Sequence, residues 1–266
     1  MSEAKQDQEF LEPEYAKNEQ KKHEYPWYLE NIEKYLTPER KQAWAIRAYP
    51  CTDLGVWLVP FIVRSEACQD ILSRLKAGDL FLDIGCHLGS DSRCLAFSSA
   101  PIFHTYGIDI VSHWDVGYNL YCDRGLFEAH FSEVDMLSDD GGLKLLEGNA
   151  DVINLCAILH QWDWNGQIRA AKRVVDFSKV GTMVVGYQIG GLKGREVETA
   201  AVGVKNFKHD VETWKKLREK ISSETSTEWE VKAWLRDWDY LGWDQADMRW
   251  LPPDARVLDF VLTRSK

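Results

Sequence analysis

The segment Leu80-Phe81-Leu82-Asp83-Ile84-Gly85-Cys86-His87-Leu88-Gly89 ends an apolar run on a carboxylate and a glycine-bearing turn, and Tyr106-Gly107-Ile108-Asp109 ends a second run on another carboxylate. This Asp-x-Gly-x-x-x-Gly spacing differs from the Gly-x-Gly-x-x-Gly turn that cradles a pyrophosphate: an acid stands at the turn, and little glycine remains to meet an anion. It favours recognition of a cation, and the expected ligand is S-adenosylmethionine. Asp83 orders the loop or holds the cofactor's amino group through water. Gly85 lets the backbone turn beside the methionyl part, and Asp109, about 26 residues later, accepts both ribose hydroxyls. Asp135 ends a third run and either meets the adenine amino group or is a plain turn acid. Cys86, Gly89, Ile110, Met136 and Cys156 complete the expected cofactor contacts.

A fourth run ends in Ile158-Leu159-His160-Gln161-Trp162-Asp163-Trp164, a polar and aromatic cluster where the transferable methyl would face its acceptor. His160 is the candidate catalytic residue, with Gln161 and Trp162 beside it as substrate contacts. His209 begins a helix after the fifth strand, either over the active site or as a helix-start residue beside the Asp210 cap. Trp27, Tyr49 and Trp57 are expected to border the substrate. The chain has 12 tryptophans, and those near the cleft favour a large apolar or aromatic substrate. Trp214, Trp229, Trp234 and Trp238 read instead as scaffold.

The elements that must position these residues alternate as in a doubly wound sheet. Strands are expected near 80–84, 103–109, 127–134, 151–158, 180–188, 228–237 and 256–263. Helices are expected near 89–97, 113–123, 141–147, 164–177 and 208–221. The last two strands form a terminal hairpin on a mostly parallel, seven-stranded Rossmann-like α/β sheet with helices on both faces. Gly181, Gly186, Gly190, Gly191 and Gly194 serve as turns or permit a mobile loop. Residues 1–24 read as a flexible tail, 25–75 as an N-terminal helical cover punctuated by Pro26, Pro38, Pro50 and Pro60, and 76–266 as the cofactor-binding domain.

Composition removes several classes. A formal net charge of −10 without a Lys/Arg-rich run argues against a nucleic-acid partner. The six cysteines make no Cys-x-x-Cys pair, and the histidines show no metal-ligand spacing. Without a signal peptide or an apolar span of ~20 residues, a soluble cytoplasmic protein is expected, monomeric or homodimeric, with a small-molecule substrate and no membrane association.

At these residues the chain resembles the class I S-adenosylmethionine methyltransferases of fungal secondary metabolism, a group that includes meroterpenoid carboxyl and polyketide pyrone O-methyltransferases. The likeness spans roughly residues 25–264. It is carried by Asp83, Gly85, Cys86, Gly89, Asp91, Arg93, Leu95, Ala100 and Pro101, by Gly107-Ile108-Asp109, and by Ala48-Tyr49-Pro50-Cys51. Further matches are Gly117-Tyr118-Asn119-Leu120-Tyr121-Cys122-Asp123 and Leu159-His160 with Trp164 and Gln167. His87, Ser90, Ser98 and Ser99 depart from the pattern. The resemblance implies a small-molecule O-methyltransferase of natural-product biosynthesis.

Methyl transfer from a sulfonium needs chiefly an acceptor oxygen held about 3 Å away and aligned. A carboxylate or acidic enol is already ionised at pH 7, and His160 then only orients it. A phenol would need His160 or His209 as general base. The acidic acceptor is favoured because no histidine and carboxylate form an evident dyad in sequence. The competing readings are an NAD-dependent oxidoreductase and a catalytically inactive methyltransferase-like binding module.

Overall fold

The computed structural model describes residues 60–98, 100–198, 205–243, 245–248 and 251–266. The expected tail, most of the expected cover, and Trp27, Tyr49 and Trp57 lie outside the described residues. From Pro60 the chain turns into α1 (Cys68–Lys76), which buries Ile71 and Leu75, one helical turn apart.

The motif segment forms β1 (Phe81–Ile84), α2 (Ser90–Phe97) and β2 (Thr105–Asp109). There follow α3 (Trp114–Tyr121), β3 (His130–Glu133), β4 (Ala150–Asn154) and α4 (Trp164–Phe177). Then come β5 (Ser178–Gly191), β6 (Arg195–Glu198), β7 (Lys205–Lys208), α5 (Val211–Thr225), β8 (Trp229–Arg236) and β9 (Ala255–Arg264). Seven strands make one sheet in the order β3-β2-β1-β4-β5-β9-β8, in which β9 runs antiparallel to both neighbours and the other pairs are parallel.

All four residues of β1 are buried, as a central strand covered on both faces requires. Its side chains alternate: Phe81 packs with Ile71, Leu75, Leu95 and Val185, whereas Leu82 and Ile84 join Ile168, Trp214 and Phe260 on the opposite face. The parallel register sets Asp83 opposite Gly107 on β2 and Asn154 on β4. Side chains far apart in sequence thereby meet at the carboxyl ends of the strands, where open α/β sheets bind ligands.

Four local expectations shift. The fourth strand stops at Asn154 rather than 158: Ala157 takes a left-handed φ of +56°, and Leu159–Gln161 coil into a 3₁₀ turn. The third strand is confined to His130–Glu133. The helix expected at 141–147 is a 3₁₀ turn opened by Gly141 and Gly142, a pair that disfavours helix. Around the glycines after β5, β6 and β7 pair as a separate antiparallel ribbon, in which Glu196 faces Phe207.

Candidate active site

The ends of β1, β2 and β4 enclose a cavity of about 420 Å³. The glycine loop closes its lower edge through backbone geometry. Gly85, at φ +68°, donates its N–H to the Ile108 carbonyl at 2.8 Å, and a side chain there would overlap Ile158. His87, also left-handed at φ +50°, donates its backbone N–H to Asp109 Oδ2 at 2.8 Å. The acid ending β2 is thus tied to the loop leaving β1. The His87 ring stands edge-on to His113, their centroids 4.7 Å apart, and both line the cavity.

Below the loop, buried Asp83 accepts from Ser92 Oγ at 2.8 Å and from Asn154 Nδ2 at 2.9 Å. Asp91, in the first turn of α2, accepts the Ile62 N–H at 2.8 Å. Burial pushes the carboxyls of Asp83 and Asp91 well above the usual range, and the charge of Asp91 adds to the effect at Asp83. Burial likewise raises the thiols of Cys86 and Cys156, so neither is a thiolate nucleophile. Four aspartates, Asp83, Asp91, Asp109 and Asp135, line the cavity, and among the described residues no lysine or arginine does.

Of the residues singled out from sequence, Asp83, Gly85, Cys86, Asp109, Ile110, Asp135, Met136, Cys156, Gln161 and Trp162 all line this cavity. Three others do not. Gly89, at φ +70°, is the N-cap of α2, where the Arg93 guanidinium fills the space beside it. His160 lies in the 3₁₀ turn after β4, and its Nδ1 accepts the Ile189 N–H at 3.4 Å; burial and then Lys208 lower its pKa far below the imidazole range. His209 is fully buried between Gln167 Oε1 at 3.1 Å and Thr213 Oγ1 at 3.2 Å, with burial pressing its pKa down to about 3. It is the helix-start residue beside Asp210, whose carboxylate caps α5.

Sequence reasoning missed Asn154, Phe61, Tyr187 and Leu241, all on the cavity wall. Phe61 packs against Tyr187 with ring centroids 5.1 Å apart. A signal for Asn154 existed: it ends an apolar run, the same rule that picked out Asp83 and Asp109. Extending that strand to 158 concealed it.

Comparison with known proteins adds a lineage to this geometry. No protein-family model matches the chain. It is 30% identical over 252 residues to O-methyltransferase phiE of Fungal sp. (strain ATCC 74256), covering 89% of this chain and 84% of that one. The chain belongs to this family of fungal O-methyltransferases. O-methyltransferase atr3 of Stereocaulon alpinum is 29% identical over 254 residues, with 85% and 72% of the two chains covered. In fold, the methyltransferase matches Burkholderia thailandensis 1,6-didemethyltoxoflavin-N1-methyltransferase, solved with S-adenosylhomocysteine, at a TM-score of 0.50 and 13% identity, covering 76% and 79% of the chains.

The cavity of the methyltransferase fits S-adenosylmethionine as the methyl donor. A pocket lined by four aspartates, with no lysine or arginine among its described lining, suits a sulfonium and an ammonium better than the pyrophosphate of a dinucleotide. Relatedness to the O-methyltransferases sets the oxidoreductase alternative aside.

Proposed function

We propose that this enzyme methylates an acidic oxygen, a carboxylate or enol, of an apolar small molecule in secondary metabolism. The observation that carries this reading is the placement of the two candidate bases. His160 faces the β5 backbone and His209 is enclosed by Gln167 and Thr213, so neither imidazole stands on the cavity wall; the two that do, His87 and His113, pair with each other on the Asp109 side, the end read as the cofactor's. An acceptor already ionised at neutral pH requires no such base. The wall beyond Asn154 is formed by Phe61, Cys156, Ile158, Trp162, Tyr187 and Leu241, a surface suited to an apolar carbon skeleton.

In this reading Asp109 binds the ribose hydroxyls, Asp135 and Met136 border the adenine, and the Gly85–Cys86 turn lies beside the methionyl part. The bound cofactor supplies an electrophilic methyl on a sulfonium sulfur. The chain's own contribution is alignment: the apolar wall orients the acceptor and excludes water, which raises the effective concentration of the oxygen at the methyl. The test is turnover with labelled S-adenosylmethionine on matched carboxylic acids, enols and phenols of similar apolar bulk. Methyl esters or enol ethers support the reading, and methylation confined to phenols overturns it.

The same placement predicts the pH behaviour. Because burial holds His160 neutral well below its ordinary range, turnover on an acidic acceptor at saturating S-adenosylmethionine shows no inflection near pH 6.5 and stays level once the acceptor is ionised. His160→Gln keeps activity within about tenfold, far from the ~10²–10⁴-fold loss of removing a general base. A loss of that larger size, recovering at high pH, would put His160 back in proton transfer.

A further inference from the structure

The floor of the cavity holds two carboxylates that share one donor. Asn154 Nδ2 lies 2.9 Å from Asp83 Oδ1 and 3.4 Å from Asp91 Oδ2. Their remaining oxygens are held by Ser92 Oγ and by the backbone N–H of Ile62, each at 2.8 Å. Among the described residues the titratable groups facing the pair are Asp109 from β2, the Tyr121 phenol from α3 and the thiols of Cys68, Cys86, Cys94 and Cys156, none of which supplies positive charge. Among the described residues no lysine or arginine pairs with either acid. Two full negative charges bridged by one amide in a buried floor repel each other strongly, and a proton on one of them removes most of that repulsion.

A cationic ligand can do what the proton does. The amino-acid end of S-adenosylmethionine carries an ammonium, and S-adenosylhomocysteine keeps it. We propose, on the basis of the cofactor reading above, that Asp83 and Asp91 hold one proton between them while no cofactor is bound and release it as the ammonium end enters. The carboxyl O–H bond breaks, its electron pair stays on the oxygen, and the proton leaves to solvent. The pair, once fully ionised, grips its donors, the Ser92 hydroxyl, the Asn154 amide and the Ile62 N–H, more tightly, since charge-assisted hydrogen bonds are the stronger kind. Ile62 adjoins Pro60 and Phe61 on the cavity wall, so cofactor binding firms the side on which the acceptor rests. Asp91 is in this sense a positioning residue.

The sign follows from the raised carboxyls. Below the pair's upper titration step the free protein carries the extra proton, and cofactor affinity rises with pH through that window, then levels off above it. The experiment is calorimetry of S-adenosylhomocysteine binding to the full chain near about pH 6.5, in buffers of different ionisation enthalpy, with 5′-methylthioadenosine as the ligand lacking the amino-acid end. Release of about one proton with S-adenosylhomocysteine, and close to none with 5′-methylthioadenosine, is expected. Asp91→Asn should cut the release to less than about half, and the wild-type buffer series decides alone if that variant fails to fold. Binding without proton release, or equal release with both ligands, overturns the shared proton while leaving the cofactor assignment standing. Failure of S-adenosylhomocysteine to bind at all overturns both.

Discussion

Arg93→Ala destabilises the enzyme by about 3–5 kcal/mol, the scale for breaking a buried ion pair. The Arg93 side chain is only 5% exposed, and its Nε and Nη2 meet the Asp123 carboxylate at 2.6 and 3.3 Å. Its Nη1 donates to the Leu88 carbonyl, which belongs to the glycine loop. The guanidinium also lies 4.4 Å from the Phe127 ring centroid and 4.8 Å from that of Tyr121, within cation–π range. Truncation leaves Asp123 uncompensated, the Leu88 carbonyl without its donor and a void among aromatic rings. Because Leu88 precedes the Gly89 N-cap of α2, cofactor affinity falls as well, even in molecules that remain folded. Arg93→Lys keeps the charge but not the fork, and recovers only part of the loss. Urea unfolding measures the effect, and a cost below about 1 kcal/mol would mean the pair behaves like an exposed one.

Asp109→Ala weakens cofactor binding by about 1.5–3 kcal/mol, the range for hydrogen bonds to a charged group, with the fold intact. The sequence motive is an acid ending the second strand; the structure adds that its carboxylate accepts the N–H groups of His87 at 2.8 Å and Val111 at 3.3 Å. The substitution therefore removes the proposed ribose acceptor and also frees the turn that shapes the cavity edge. Asp109→Asn retains an oxygen for His87 and is expected to fall between wild type and alanine. Calorimetry with S-adenosylhomocysteine gives the numbers. An alanine variant of unchanged affinity would remove Asp109 from the ribose site.

The sequence by itself determined the strand ends that carry acids and the alternating doubly wound pattern, and it pointed to the cofactor class. Those features are written locally: Asp83 and Asp109 each close an apolar run, and an acid at a glycine turn selects against phosphate whatever the rest of the chain does. It also marked Trp214 as scaffold, and this residue is fully buried against Phe260. Only the tertiary structure decided which side chains share the cavity. Asn154 reaches Asp83 across 71 positions and Asp91 reaches Ile62 across 29, contacts fixed by strand register and helix packing that leave no local trace. His160 shows the same division: its neighbours in sequence placed it at a strand's end, but the left-handed turn at Ala157 and the N–H of Ile189 settled where its ring points. Local residue types determine which groups a segment can offer, while their direction depends on backbone turns and on partners supplied by distant strands.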